Sequence, residues 1–368
     1  MKRIIQIEPS LGNEEKKELL EVLSSGWYTE SAKTREFEKK FARFVGAKYA
    51  VVVTSGTAAL FVGLKALGIG RGDEVIVPDL TFAASPNSIQ MTGAKPVLVD
   101  VEQKTLNMDV DKLARSISKK TKAIMPVDFN GRKIQITKIR EIAKKNNLFL
   151  IEDACHAIGC YYNNKHMGTL SDVAAFSFSI PKIITTGQGG MIITNQKKIY
   201  EKCVAIKDFG RELGKKKDVQ KAFEHKTIGY NFKFTEFQAA IGLAQMRKLP
   251  KRIKRKRVIF KKYYDLLSSE NGIEFIKTDL KNETPWMIDI ILKSKSSRNK
   301  LIHYLENKNI QTRIFYPPIH RLFFYKENDK KFPVTSNISD RGIWLPSSIS
   351  LTDQQINLVC SKIQKFFN

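Results

Sequence analysis

The chain is short of cysteine, of long apolar runs and of acidic residues, and each shortage removes a class of protein. Its four cysteines, Cys155, Cys160, Cys203 and Cys360, have neither the paired spacing of a zinc site nor the density of a disulfide framework. Reduced thiols, a cytoplasmic location and no bound metal are the expectation. No uncharged apolar stretch reaches the roughly 18 residues that a bilayer-spanning helix needs. The opening MKRIIQIEPS has a basic start without the apolar centre of an export signal, so neither membrane insertion nor export is expected. Only 37 Asp and Glu stand against 63 Lys and Arg, a net charge of +26, and such a field attracts nucleic acid, nucleotides and phosphorylated metabolites alike. The cations are spread out, however. KKTKAI (119 to 124), GKKKDVQK (214 to 221) and KRIKRKR (251 to 257) lack the interleaved aromatics of a base-stacking platform. Solvated surface is the better reading of them, the last as the polar face of an amphipathic helix in KRIKRKRVIFKKYYDLL, and nucleic acid is not an expected partner.

What is present is a core-forming composition, 42% hydrophobic with 27% charged, and a regular alternation of elements. YAVVVTS (49 to 55) reads as a buried strand and TAALFVGLKALG (57 to 68) as a helix that Gly68 can stop. The strands GDEVIVPD, KPVLVDV, TKAIMPVD and LFLIEDA follow, separated by helical patterns near 84 to 93, at 109 to 118 and in QITKIREIAKKNN. Strands alternating with helices imply parallel β/α units, whose ligands bind beyond the carboxyl ends of the strands. GIGRGD (68 to 73) follows a helix and precedes a strand, the reverse of the order a dinucleotide fingerprint requires.

Three of those strand ends carry chemistry. TSGTAAL ends a strand in Ser55, Gly56 and Thr57 and opens a helix at once, a place where free N–H groups and hydroxyls can cradle a phosphate, although capping alone explains any single such turn. LIEDACHA ends a strand in Glu152 and Asp153, and a buried carboxylate must find a cation or several donors. FSFSIPKIITTGQGG follows the apolar strand SDVAAFSFS and supplies Ser177 and then Lys182 before the strand MIITN. A desolvated lysine there has a lowered pKa and a nucleophilic neutral amine. A phosphate cradle, a buried acid and an amine in three loops of one sheet match pyridoxal 5'-phosphate: the cradle takes the phosphate, Asp153 the protonated ring nitrogen and Lys182 the aldehyde.

On these segments, and on GWYTESAKTREFEKKFARFVGAKYAVVVTSGTAAL, GDEVIVPDLTFAASPNSIQMTGAKPVLVDV, GYNFKFTEFQAAIGLAQ, RIFYPPIH and LPSSISLTDQQI, the chain resembles the DegT/DnrJ/EryC1/StrS family of pyridoxal-phosphate-dependent sugar aminotransferases over nearly its whole length. The resemblance implies the α/β fold of the aspartate aminotransferase type (fold type I), with a mostly parallel sheet in a large cofactor domain, residues 1 to 248, and a smaller α+β domain, residues 249 to 368. It makes Lys182 the Schiff-base lysine and Asp153 the partner of the pyridine nitrogen. Phe82 is implied to lie over the cofactor ring, Gly56, Thr57 and Ser177 to contact its phosphate, and His156 to stand near the ring hydroxyl, where the family often has glutamine. Asn231 is implied to reach the phosphate from a neighbouring subunit, hence a homodimer with shared active sites.

Trp27, Thr29, Arg313, Tyr316 and His320 are the candidate substrate contacts. Lys233 stands where GYN-x-R commonly has arginine, and the two differ in bidentate binding. Ser179, Ile180 and Pro181 also depart from the usual pattern, while Lys182 argues against the family's dehydratase branch, which has histidine there. Glutamate is the implied amino donor and a nucleotide-diphosphate-linked keto-deoxysugar the acceptor, aminated at C4 as in perosamine synthases, with ping-pong kinetics. The alternatives are a small phosphorylated ketone as acceptor, or a non-catalytic polyanion-binding protein on the same fold.

Overall fold

The computed structural model describes residues 3–212 and 224–367; the basic cluster at 214 to 221 lies outside them. Helices α1 (Asn13–Ser25) and α2 (Ala32–Val45) precede the alternating region. That region holds β1 (Tyr49–Val53), α3 (Gly56–Ala66), β2 (Glu74–Pro78), α4 (Ala84–Met91), β3 (Lys95–Val99), α5 (Val110–Arg115), β4 (Thr121–Ile124), α6 (Ile136–Lys145) and β5 (Phe149–Asp153). A small hairpin, β6 (Tyr161–Tyr162) and β7 (Lys165–His166), leads to β8 (Val173–Ser177), β9 (Gly190–Thr194) and α7 (Lys197–Lys207).

Seven of these strands form one sheet in the order β1-β9-β8-β5-β4-β2-β3. Six run in one direction and β9 runs against both of its neighbours, pairing Val53 with Gly190 and Ser177 with Gly190. The exception has a local cause. A parallel connection needs a crossover, usually a helix, and the connection 178–189 contains none, so β9 returns beside β8. The sheet strands are apolar on both faces, and α3 presents Ala59, Leu60, Val62 and Leu64, all buried, to the layer beneath it. Phe41 of α2 meets Phe176 of β8 edge to face at 5.1 Å on the other side. Each such ring, fully buried, contributes about 1.5–3 kcal/mol.

The remaining elements are α8 (Glu236–Leu267), β10 (Ile273–Glu274), β11 (Ile288–Leu292), α9 (Lys295–Glu306), β12 (Arg313–Ile314), α10 (Pro333–Arg341), β13 (Gly342–Leu345) and α11 (Asp353–Phe367). The four strands form an antiparallel sheet, β10-β11-β13-β12, which packs with α9 and α11 around Ile288, Leu301, Leu305 and Val359. Residue 248, the proposed domain boundary, falls inside the continuous helix α8. Ala239 and Leu243 of that helix join the core of the large sheet, and Ile259, Phe260 and Tyr263 join that of the small one.

The basic run on α8 departs from the solvated face read in the sequence. Arg252 and Lys256 are buried, Arg252 donating to the carbonyls of Ser10 and Ile183 and Lys256 to that of Ser347. Arg257 donates to the carbonyls of Glu283 and Gly159. Helix α8 crosses between the layers, where loop carbonyls need donors, and these three cations supply them. Lys251 and Lys254 stay exposed.

Candidate active site

The carboxyl ends of β5 and β8 and the amino end of α3 converge. Ser55 caps α3 by accepting from the Ala58 N–H at 3.1 Å, and its carbonyl takes the Ala59 N–H. The N–H groups of Gly56 and Thr57 keep no protein acceptor among the described residues. Beside them stands the Ser177 side chain: a Cβ built on Gly56 would lie 3.0 Å from Ser177 Cβ and 3.1 Å from Cys155 Sγ. Two free N–H groups and a hydroxyl at a helix N-terminus suit an anion.

Asp153, at the end of β5, is buried and has no cation bonded to it among the described residues. One oxygen accepts the Ser85 hydroxyl at 2.6 Å and the other the Cys155 N–H at 3.2 Å. Ser85 spends its single proton on Asp153, so Thr81, 2.8 Å away, donates to Ser85 in turn. Phe82, on the same β2–α4 connection, is 54% exposed with its ring 5.2 Å from that of Tyr316. A large apolar ring left open beside a buried acid is the surface a planar ligand would cover.

Lys182 projects from the β8–β9 connection, its Nζ 4.1 Å from the ring centroid of Trp286. Burial lowers its pKa from 10.5 to about 8; the charge of Asp153 opposes that fall and that of Arg313 adds to it. A depressed lysine gives up its proton as pH rises through about 8, so in cofactor-free protein the neutral amine becomes the major form there rather than above 10.5. The sign for stability is the reverse of a salt bridge: the protonated lysine is the form that burial disfavours, so stability is complete above the ordinary pKa and falls as pH drops through about 8. Amine-directed labelling of Lys182 in cofactor-free protein should follow a titration with its midpoint near 8. Mass-spectrometric peptide quantitation reads it, and a midpoint in the normal lysine range would remove this environment.

His156 stacks on Trp286, ring centroids 4.0 Å apart and 13° from parallel. Burial, and then the charge of Lys182, hold its pKa well below the ordinary histidine value, so the ring is neutral. The Asn130 N–H donates to its Nδ1 at 3.3 Å, which leaves the ring proton on Nε2. Asn130 holds its place through a positive φ of 56° and two bonds to the backbone of Met287. Gly131 follows it at φ 78°, where a Cβ would sit 2.1 Å from the Thr284 carbonyl oxygen. Trp286 is fixed in turn by its indole N–H on the Pro181 carbonyl at 2.7 Å. Asn130, Ser85 and Trp286 were not legible in the sequence: Asn-Gly reads as a turn, Ser85 as the start of a helix, and Trp286 lies more than a hundred positions from Lys182 with no local motif.

Of the candidate substrate contacts, Tyr316 and Arg313 join this cluster. The Tyr316 ring lies 6.5 Å from that of His156, and the charge of Arg313 acts on both Lys182 and Tyr316. Trp27 and Thr29 stand exposed on the α1–α2 loop, which Glu236 fixes by accepting the N–H groups of Ser31, Lys33 and Thr34. Asn231 is exposed and bridged to Asp208. Among the described residues no hydrogen bond or ring contact connects these three to Lys182. His320 must be corrected as a substrate contact. It is fully buried, with Nδ1 2.6 Å from Asp79, Nε2 2.8 Å from Asp329 and its ring stacked on Phe332. Nδ1 holds the residue to the end of β2 and Nε2 is taken up by Asp329, so both nitrogens are consumed.

A small cavity of about 20 Å³, room for about one water, is lined by Lys182 together with Pro9, Arg252, Lys256 and Trp286 among others. A groove of about 690 Å³ sits at the opposite, amino-terminal ends of the strands beside Arg140, Lys144 and Asp172 and is lined by none of the candidate site residues. Among the described residues no group of three or more His, Cys, Asp or Glu could hold a metal, and no helix is long and apolar enough to cross a membrane.

Comparison with known proteins bears on the whole chain. Residues 9–364 match the model of the DegT/DnrJ/EryC1/StrS aminotransferase family. The GDP-perosamine synthase of Escherichia coli O157:H7 is 40% identical across the full length of both chains, and that of Vibrio cholerae is 38% identical over 98% of each. Among solved structures, a putative sugar aminotransferase of Streptococcus pneumoniae in its PMP form superimposes with a TM-score of 0.93 at 25% identity, covering 98% of both chains.

Proposed function

Because the chain belongs to the DegT/DnrJ/EryC1/StrS family of pyridoxal-phosphate-dependent sugar aminotransferases, we propose that it moves the amino group of glutamate to the C4 keto carbon of a nucleotide-diphosphate-linked deoxysugar. The observation that carries this reading is the end-to-end likeness to GDP-perosamine synthases, and it makes GDP the first nucleotide to test. Membership of an enzyme family sets aside the non-catalytic alternative.

The residues present fit the cofactor. The N–H groups of Gly56 and Thr57 with the Ser177 hydroxyl would hold its phosphate, Asp153 its ring nitrogen, Phe82 one face of its ring, and Lys182 its aldehyde. His156, with its proton on Nε2, would donate to the ring hydroxyl oxygen. When bound, the cofactor supplies an aldehyde that takes up the amino group and a ring that accepts electrons. The chain does the rest. Asp153, oriented by Ser85 and the Cys155 N–H, keeps a proton on the ring nitrogen. Lys182, whose proton burial makes easier to lose, would hold the aldehyde and carry the transferred proton on its Nζ. Arg313 and Tyr316, with Trp27 and Thr29, would face the two substrates in turn. Asn231 would reach the phosphate of a neighbouring copy, giving a homodimer with shared sites in the cytoplasm.

The test is a panel of GDP-, dTDP- and UDP-linked 4-keto-6-deoxysugars and small phosphorylated ketones, each with glutamate, scored by release of the deaminated donor and by mass of the aminated product. Turnover of a GDP-linked 4-keto sugar at least about tenfold better in kcat/KM than any other member is the expected result. Preference for a small phosphorylated ketone would overturn the sugar assignment.

A further inference from the structure

Glu152 and Asp153 are neighbours on β5, so their side chains leave opposite faces of the strand. Asp153 turns to Ser85. Glu152 turns away from it, fully buried, and accepts the Gly168 N–H at 2.5 Å and the Ser171 hydroxyl. Against Glu152 lies Asp128, just beyond β4 and also fully buried, close enough for a side-chain hydrogen bond.

This contact is anomalous as two carboxylates. Neither oxygen of Asp128 receives a hydrogen bond from any N–H or O–H among the described residues. The cations of the same loop are committed elsewhere, Arg132 to both oxygens of Asp289 at 2.7 Å and Lys133 to Asp279 at 2.8 Å. Besides Glu152, the charges that act most strongly on Asp128 are those of Asp153 and Glu283, with the thiols of Cys155 and Cys160 nearby. All are acids. Two buried ionised carboxylates in contact, with no donor or cation between them, do not persist.

We propose that Asp128 keeps its proton in the folded protein at neutral pH and donates it to Glu152, and that this acid–carboxylate pair positions the active-site ends of β4 and β5. One proton both removes a charge and supplies the missing donor. Burial, and then the negative charge of Glu152, push the Asp128 carboxyl well above the ordinary range, in the direction this requires.

The pair locks a segment on which the site depends. The Asp128 N–H donates to the Asp153 carbonyl at 3.2 Å, the Asp153 N–H to the Pro126 carbonyl at 2.9 Å, and two residues further on Asn130 sets the tautomer of His156. Ionising both acids would drive these strand ends apart beneath Asp153 and His156. The shared proton is independent of any cofactor; the positioning role rests on reading Asp153 and His156 as cofactor contacts.

The full-length protein and its Asp128→Asn and Asp128→Ala variants decide the matter, with Glu152→Gln in reserve should the alanine variant not fold. Infrared difference spectra with carboxyl-labelled aspartate should show a protonated-acid band at neutral pH in the wild type, absent from Asp128→Asn and shifted in Glu152→Gln, where the buried acid keeps its proton but loses its carboxylate acceptor. A raised carboxyl pKa contributes stability that is lost as pH rises through it. The thermal midpoint of the wild type should therefore fall faster on the alkaline side than that of Asp128→Asn, whose amide cannot ionise. Pyridoxal phosphate, titrated into cofactor-free protein and followed by quenching of tryptophan fluorescence, should bind Asp128→Asn within about twofold of wild type and Asp128→Ala about tenfold more weakly, the equivalent of one lost buried hydrogen bond.

Absence of the acid band, or identical alkaline profiles for wild type and Asp128→Asn, overturns the shared proton. Wild-type binding by Asp128→Ala overturns the positioning role and leaves the proton. A wild type that takes up no pyridoxal phosphate sinks the reading of the site and the positioning role with it, while the acid band still decides the proton.

Discussion

Lys182→Ala is expected to lower turnover by on the order of 10⁴-fold or more and to abolish the near-visible absorbance of the purified enzyme. The proposed duties of this side chain, holding the aldehyde and carrying the proton, fall on one atom, and no second amine replaces it. Lys256, the other lysine lining the small cavity, is tied to the Ser347 carbonyl. The structural loss is small by comparison. Lys182 makes a cation–π contact with Trp286 worth about 1 kcal/mol, so the variant should fold and bind substrate. That separation makes the result interpretable: steady-state rates, absorbance and thermal midpoint on the same preparation must show lost chemistry with the fold retained. Small primary amines added to the variant should restore part of the rate, since they supply the missing base. A variant that keeps more than about a hundredth of wild-type turnover would take Lys182 out of the mechanism.

Breaking the ion pair between Arg132 and Asp289 is expected to cost about 3–5 kcal/mol of stability in either single alanine variant. The guanidinium forks onto both carboxylate oxygens at 2.7 Å, and the pair joins the loop after β4 to β11 of the small sheet. Arg132 is 2% exposed and Asp289 wholly buried, so deleting one partner strands a charge where water cannot reach it. The size of the effect comes from that stranded charge rather than from the worth of the pair. The double variant Arg132→Met with Asp289→Leu should therefore recover most of the loss, and Arg132→Lys should not, because an ammonium cannot reproduce the fork. Urea unfolding measures all four. If Arg132→Ala and the double variant were equally unstable, packing rather than stranded charge would explain the site. Asn130 and Gly131 sit immediately before Arg132, so the single variants should also loosen the hold on His156.

Much of the fold could be read from the sequence because its signals are local. Apolar runs of strand length alternate with helical patterns from Tyr49 to Asp153, and β5 ends one residue, β8 two residues, before the pattern stops. The strand–turn–helix at Ser55 needed only a hydroxyl, a glycine and the start of a helical period. The same logic places Asp153 and Lys182 at strand ends, and their electrostatic coupling follows from the sheet order. The reversed direction of β9 was harder to see, since it depends on the missing crossover helix.

The partners of these residues could not be read at all. Nothing near Trp286 announces that it would lie between His156 and Lys182, nothing in Ser85 that it would hold Asp153, and nothing in HRLFF that His320 would be sealed between two acids. The run KRIKRKR looks the same whether its cations face water or loop carbonyls, and only the packing of α8 between two cores separates Lys251 from Arg252.

From its residues alone the chain determined where strands end, which reactive groups stand at those ends, and which family it resembles. Tertiary structure alone decided which protons and charges those groups carry. Spacing along a chain specifies the direction of a side chain over a few residues, whereas a pKa is set by everything within several ångströms. For Lys182 and His156 those surroundings come from segments that meet only when the two sheets have packed, and for Asp128 from two strand ends distant in sequence that pair within one sheet.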